Sequence, residues 1–146
     1  MAVDWGSMPH EPYFYGRQAE LSTLYRWTVT ERCRVVTILG AGGQGKTALI
    51  VRFIRTLTEM PNHQATTPPS APPAFERIIW RSLLTAPPLA DILQDWLQQL
   101  SNQQVVSLPR TLDQQFTLLH EYLGQRRFLL VLDNVESILQ DDGSGA

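Results

Sequence analysis

The sequence predicts an α/β protein built on a parallel sheet. Three observations support this. A β-branched apolar run at 35–39 leads straight into a glycine-rich turn, a second apolar run at 128–132 ends in an acid, and helix-periodic segments lie between them.

The glycine-rich turn organises the rest. Gly40, Gly45, Lys46 and Thr47 match G-x-x-x-x-G-K-[ST], and the interior Ala41-Gly42-Gly43-Gln44 is small and flexible. A di- or triphosphate needs backbone N–H groups converging at close range, which calls for residues that tolerate positive φ and bring no Cβ. Gly40, Gly42, Gly43 and Gly45 are such residues. The loop must then open a helix, so that the unpaired amides and positive dipole end face the anion, and 46–59 carries Leu49, Ile50, Phe53, Ile54 and Leu57 at helical spacing. Lys46 would reach the β- and γ-phosphates and the Thr47 hydroxyl would ligate Mg²⁺. Lys46 is also the only lysine beside eleven arginines. Arginine does not replace a compact ammonium between phosphate oxygens.

Bulk composition sets the frame. The chain has 146 residues, is 43% hydrophobic and 18% charged, and carries a net charge of −2. That suits one ordinary domain and offers no electrostatic basis for nucleic-acid binding. Cys33 is a lone cysteine and no Cys/His cluster has metal-site spacing, so a reducing, cytoplasmic setting is expected. The N-terminus lacks the basic start and apolar run of a signal peptide. No apolar stretch approaches the ~18 residues of a membrane span.

In chain order, residues 1–12 read as an extended lead-in punctuated by Gly6, Ser7, Pro9 and Pro12. Tyr13-Phe14-Tyr15 meets a turn at Gly16, and a helix with Leu21, Leu24, Tyr25 and Thr28 on one side follows, ending near Thr30. The aromatics serve either as packing or as a platform for a flat adenine base. A strand is expected at 34–39, then the loop and its helix. Residues 60–74 hold five of the ten prolines and almost no large apolar side chain, predicting a mobile surface insertion. A second strand is expected at 77–82. Ala86-Pro87-Pro88 starts a helix with Leu89, Ile92, Leu93, Trp96, Leu97 and Leu100 on one face. A third helix opens at Thr111 or Asp113 and stops at Gly124.

The run Phe128-Leu129-Leu130-Val131-Leu132 reads as a strand covered on both faces, with Asp133 at its carboxyl end, where ligands bind in parallel sheets. An acid there is, in isolation, a turn former. Coupled to a phosphate loop about 90 residues earlier, it becomes a Mg²⁺-organising aspartate of the Walker B type.

Tyr15-Gly16-Arg17-x-x-Glu20-Leu21, the phosphate loop, Phe75-x-x-Ile78-Ile79-Trp80 and Leu129-Leu130-Val131-Leu132-Asp133 together resemble the nucleotide-binding half of an NB-ARC domain. NB-ARC domains are signal-transduction ATPases of the STAND class, and the wording is closer to bacterial members than to plant immune receptors. The resemblance covers about 13–139. It implies a P-loop NTPase fold, a three-layer αβα parallel sheet, with residues 13–140 as its nucleotide-binding domain. It also implies that Phe14, Tyr15, Gly16 and Arg17 contact the adenine side. Gly40, Gly42, Gly43, Gln44, Gly45, Lys46, Thr47 and Ala48 would hold ADP or ATP, and Thr47 and Asp133 would hold Mg²⁺. The implied function is a switch: an ADP-held resting state, exchange to ATP, and homo-oligomerisation of the full-length protein.

Two departures accompany it. Many relatives carry a second acid directly after the Walker B aspartate, and here Asn134 stands there, leaving Glu136 as the nearest carboxylate for water activation. ATP hydrolysis and a nucleotide-locked state both stay open, as do another AAA+-like ATPase and a P-loop kinase. The second departure is at the end. In the NB-ARC order the strand after Walker B inserts between the phosphate-loop strand and the Walker B strand, but after Asp133 come only one or two helical turns and a flexible tail at 141–146. The expectation is an incomplete domain, truncated after the Walker B strand and inactive alone.

Overall fold

A computed structural model describes residues 1–6, 8–9, 15–59, 74–102 and 109–139. The proline-rich insertion at 60–74 lies outside the described residues except for Ala74, as do Phe14 and the 141–146 tail. The chain divides into two compact units, Met1–Ser7 with Phe75–Ala146, and Met8–Ala74.

The first unit is an α/β layer structure. Strands β1 (Ala2–Asp4), β2 (Arg77–Ser82) and β3 (Phe128–Asp133) form one parallel sheet in the order β1-β2-β3. Ile79 pairs with Leu130 and Arg77 with Phe128, so Ile79, Leu130 and Phe128 share one face, because side chains alternate along strands. Against that face pack two helices, α3 (Leu89–Leu100) and α4 (Leu112–Gln125). Leu93 and Leu97 are fully buried in this core, beside Leu83, Ile92, Trp96, Leu100 and Leu119. On the other face of β2, Ile78 and Trp80 are also fully buried. Pro88 caps α3 with φ −55°, an angle its ring already fixes. Thr111 caps α4 by accepting from the Gln114 N–H.

The second unit holds two helices, α1 (Gln18–Tyr25) and α2 (Lys46–Glu59). One π-helical turn, Arg26–Thr30, extends α1. Within it the Glu31 N–H bonds the Arg26 carbonyl, five residues back, and the buried Thr28 hydroxyl donates to the Leu24 carbonyl at 2.7 Å. Back-bonding threonines bend helices, which suits a helix about to end. Leu49, Val51, Phe53 and Ile54 of α2 are buried.

The α/β class with a parallel sheet holds, as do the strands expected at 77–82 and 128–132. Four expectations are corrected. The run 34–39 makes no strand: Val35 and Leu39 are 83% and 86% exposed, while Val36 and Ile38 are half-buried. Its alternation survives, but no neighbouring strand pairs its backbone among the described residues, and a strand exists only through its ladder. β3 is not covered on both faces. Its residues are half-buried and Leu132 is 40% exposed, because β2 is its one ladder neighbour among the described residues. The lead-in begins with a paired strand, β1. Finally, α4 runs one residue past Gly124, which lacks the positive φ of a helix-ending glycine, and stops where Arg126 turns extended to feed β3.

β1 is short and is pinned by charge. The Arg81 guanidinium donates to Asp4 at 2.6 Å and to Asp95 on α3 at 2.5 Å. Burial pushes the Asp4 carboxyl pKa up, but the Arg81 bond, the Gly6 N–H and the Arg81 and Arg77 charges outweigh it and hold the value below the ordinary carboxylate range. Burial likewise acts to lower the Arg81 pKa, and the two aspartates overcome it, so Arg81 stays charged. A carboxylate depressed by folding stabilises the fold above its unfolded pKa, and that contribution vanishes as pH falls through the folded value. Between about pH 6 and about pH 3 the full-length protein should therefore lose more thermal stability than Asp4→Asn. Parallel melting-temperature curves for the two would contradict a folded-state role for this pair.

Candidate functional site

The phosphate loop lies wholly in the second unit, between 34–39 and α2. Gly43 and Gly45 take φ +76° and +73° on either side of Gln44. Positive φ at alternate positions is the backbone pattern of an anion nest, and glycine takes it without steric cost; the Gln44 N–H between them bonds the Ala41 carbonyl at 3.4 Å. A Cβ added at Gly42, Gly43 or Gly45 would meet nothing within 4 Å, so there is open space beside all three. Gly40 is different. A Cβ there would sit 2.6 Å from the Gln44 Oε1, which accepts from the Ala41 N–H at 3.1 Å.

Lys46 is the first residue of α2. Its ammonium folds back over the loop and donates to the Gly40 carbonyl at 2.7 Å and the Ala41 carbonyl at 3.0 Å. These are neutral acceptors, and an anion in the nest would make stronger, charge-assisted bonds with the same donors. The nest, the open space and the movable ammonium fit a phosphate group. Thr47 and Ala48 follow in the first turn of α2, both half-buried.

The segment before α1 also reaches the loop. Gly16 and Arg17 both have positive φ, +79° and +56°, and the Arg17 guanidinium donates to the Gln44 carbonyl at 2.5 Å. Tyr15 is 87% exposed, so its ring is not packing material here.

The acid end lies in the first unit. Asp133 is half-buried at the last position of β3, in register with Ser82, and its carbonyl accepts from the Leu83 N–H at 2.8 Å. Asn134 follows with φ +59°, a conformation that asparagine tolerates better than most residues, and its Oδ1 accepts from the Ser82 hydroxyl at 3.0 Å. Glu136 is exposed and opens the single turn α5 (Glu136–Leu139). Among the described residues no three His, Cys, Asp or Glu side chains cluster as a metal site.

A family profile for the AAA ATPase domain matches residues 13–144, nearly the whole chain and both the loop and the acid. The chain belongs to the AAA ATPase domain family. It is therefore a nucleotide-binding domain of the P-loop ATPase kind. The match is to this broader family, so the finer NB-ARC likeness is not what the profile identifies. The chain is also 45% identical over 138 residues to an uncharacterized WD repeat-containing protein of Nostoc sp. (strain PCC 7120). That match takes in 94% of this chain and 10% of the relative, so the chain spans about a tenth of the relative's length. No solved structure matches the chain. Among the described residues no helix is long and apolar enough to cross a membrane.

The main contacts that sequence reasoning missed are Arg17 on the loop carbonyl, the Asp4–Arg81–Asp95 cluster and the Ser82–Asn134 bond. Arg81, a charge at the end of an apolar strand, was the one local signal. Asp4 and Ser82 carry none.

Proposed function

We infer that this AAA ATPase domain is the nucleotide-switch module of a STAND-type signalling ATPase of the NB-ARC kind. It would hold ADP at rest, exchange it for ATP, and homo-oligomerise within the full-length protein. The observation that carries this is the Gly16–Arg17 turn joined to the phosphate loop by the Arg17–Gln44 bond. A bare phosphate loop has no such turn, and it is the turn that the NB-ARC resemblance places beside the nucleotide. The WD repeats named in the Nostoc relative add support, since repeat arrays offer broad binding surfaces for a sensed partner.

Each residue has a task in this reading. The nest N–H groups and Lys46 would bind the phosphates, the Thr47 hydroxyl would ligate Mg²⁺, Tyr15 would serve the adenine side, and the NB-ARC resemblance makes Asp133 a Mg²⁺-organising acid. Bound Mg²⁺ would neutralise charge on the β- and γ-phosphates. Asn134 cannot take a proton, which favours slow turnover or a nucleotide-locked state over a fast hydrolase, with Glu136 the remaining carboxylate. The setting would be cytoplasmic, where ATP is supplied and the exposed Cys33 stays reduced.

The test is the mass of the full-length protein by light scattering, with ADP and with a non-hydrolysable ATP analogue. A larger assembly is expected with the analogue alone. Identical masses in both states would remove the switch while leaving nucleotide binding intact.

A further inference from the structure

The geometry points to Arg17 as a positioning residue of the phosphate loop, one that aims the Gly45 N–H by holding the peptide between Gln44 and Gly45. This deepens the proposed nucleotide site and rests on it.

Arg17 occupies the left-handed region, φ 56° and ψ 31°, where a side chain with a Cβ is strained. The strain has a visible counterpart. From this backbone, at the N-cap of α1 and 27 residues before its partner, the guanidinium reaches the Gln44 carbonyl at 2.5 Å. The acceptor belongs to the peptide that also carries the Gly45 N–H. In a trans peptide the C=O and N–H point in opposite directions, so a cation fixed on the Gln44 oxygen turns the Gly45 N–H away from Arg17. Glycine on both sides of Gln44, at φ +76° and +73°, leaves this peptide otherwise easy to rotate. The loop needs an outside restraint, and the Arg17 guanidinium supplies one on that oxygen. Gln44 restrains the loop differently, through its own side chain on the Ala41 N–H. Arg17 therefore ties the turn ahead of α1 to the orientation of a phosphate-binding amide, so movement of that turn changes phosphate affinity without any change in the loop sequence.

The probe is inorganic pyrophosphate, which has no base for Arg17 to touch. Its binding to the full-length protein is measured by calorimetry for wild type, Arg17→Gly and Arg17→Lys. Glycine removes the guanidinium and also relieves the left-handed strain, so Arg17→Gly should melt no lower than wild type. It should nonetheless bind pyrophosphate about tenfold more weakly, the loss expected for one charge-assisted bond. Arg17→Lys, which keeps a cation with a single compact head, should recover part of the affinity. The Gly45 amide resonance of nucleotide-free Arg17→Gly should shift from the wild-type position. Unchanged pyrophosphate affinity in Arg17→Gly would overturn the proposal, and so would an unchanged Gly45 resonance, which would mean direct contact with the anion instead. Lys46→Ala is the control. If it binds pyrophosphate like wild type, the phosphate-loop reading itself fails. If it is weak while Arg17→Gly is not, only the role of Arg17 falls.

Discussion

Lys46→Ala in the full-length protein is expected to bind ADP and ATP at least about tenfold more weakly, roughly 1.4 kcal/mol or more. The ammonium is the lone lysine of the chain, and it donates to the Gly40 and Ala41 carbonyls. Exchanging those neutral acceptors for phosphate oxygens converts ordinary hydrogen bonds into charge-assisted ones, each worth about 1.5–3 kcal/mol. Alanine forfeits that gain but is a strong helix former at the first position of α2. The helix, buried through Leu49, Val51, Phe53 and Ile54, should persist. Lys46→Arg should not restore wild-type affinity, because a planar fork does not fit where a point charge has to sit between phosphate oxygens. Equal ADP affinity in wild type and Lys46→Ala, with matched melting temperatures, would remove the phosphate-loop assignment.

If the full-length protein turns ATP over, Asp133→Ala is expected to abolish that Mg²⁺-dependent hydrolysis, measured as phosphate release in a single turnover. The carboxyl sits at the carboxyl end of β3, and the backbone there is anchored independently of the side chain by the Leu83 N–H. Loss of the side chain should therefore leave the strand end in place. Glu136→Gln separates two outcomes at the same end of the strand. If Glu136 orients or deprotonates the attacking water, the amide keeps nucleotide binding and loses turnover. An unchanged rate in Glu136→Gln would assign the water to a residue outside this chain. Asn134→Asp adds a further arm, since it supplies the acid that the NB-ARC resemblance leads one to expect there. It also alters the group that accepts the Ser82 hydroxyl, so Ser82→Ala is its companion control.

The loop and its helix were legible because their determinants are local. Gly43 and Gly45 permit the nest, Lys46 and Thr47 open α2, and the apolar spacing from Leu49 to Ile54 buries one side of it. The same holds for α3 and for the cap at Thr111, each written within a dozen or so residues. Gly124 misled for a related reason: a glycine permits a helix end but does not impose one. The chain continues to Gln125 and leaves the helix only where β3 needs it extended.

The sequence by itself determined that this is an α/β chain with a phosphate-type loop, a helix behind it and an acid at the end of an apolar strand. Tertiary structure alone decided which of the apolar runs became strands and what holds them. Residues 34–39 carry as good a strand pattern as 128–132, yet among the described residues only the latter is paired, because a ladder depends on a neighbour that no local pattern specifies. The inconspicuous Ala2–Asp4 became a strand because β2 presented an edge and Arg81, 77 residues beyond Asp4, placed a cation beside it. The Arg17–Gln44 contact likewise spans 27 residues and uses a main-chain oxygen, which every residue carries. Propensity and turn chemistry act over neighbours in sequence, whereas strand pairing and these hydrogen bonds act over neighbours in space.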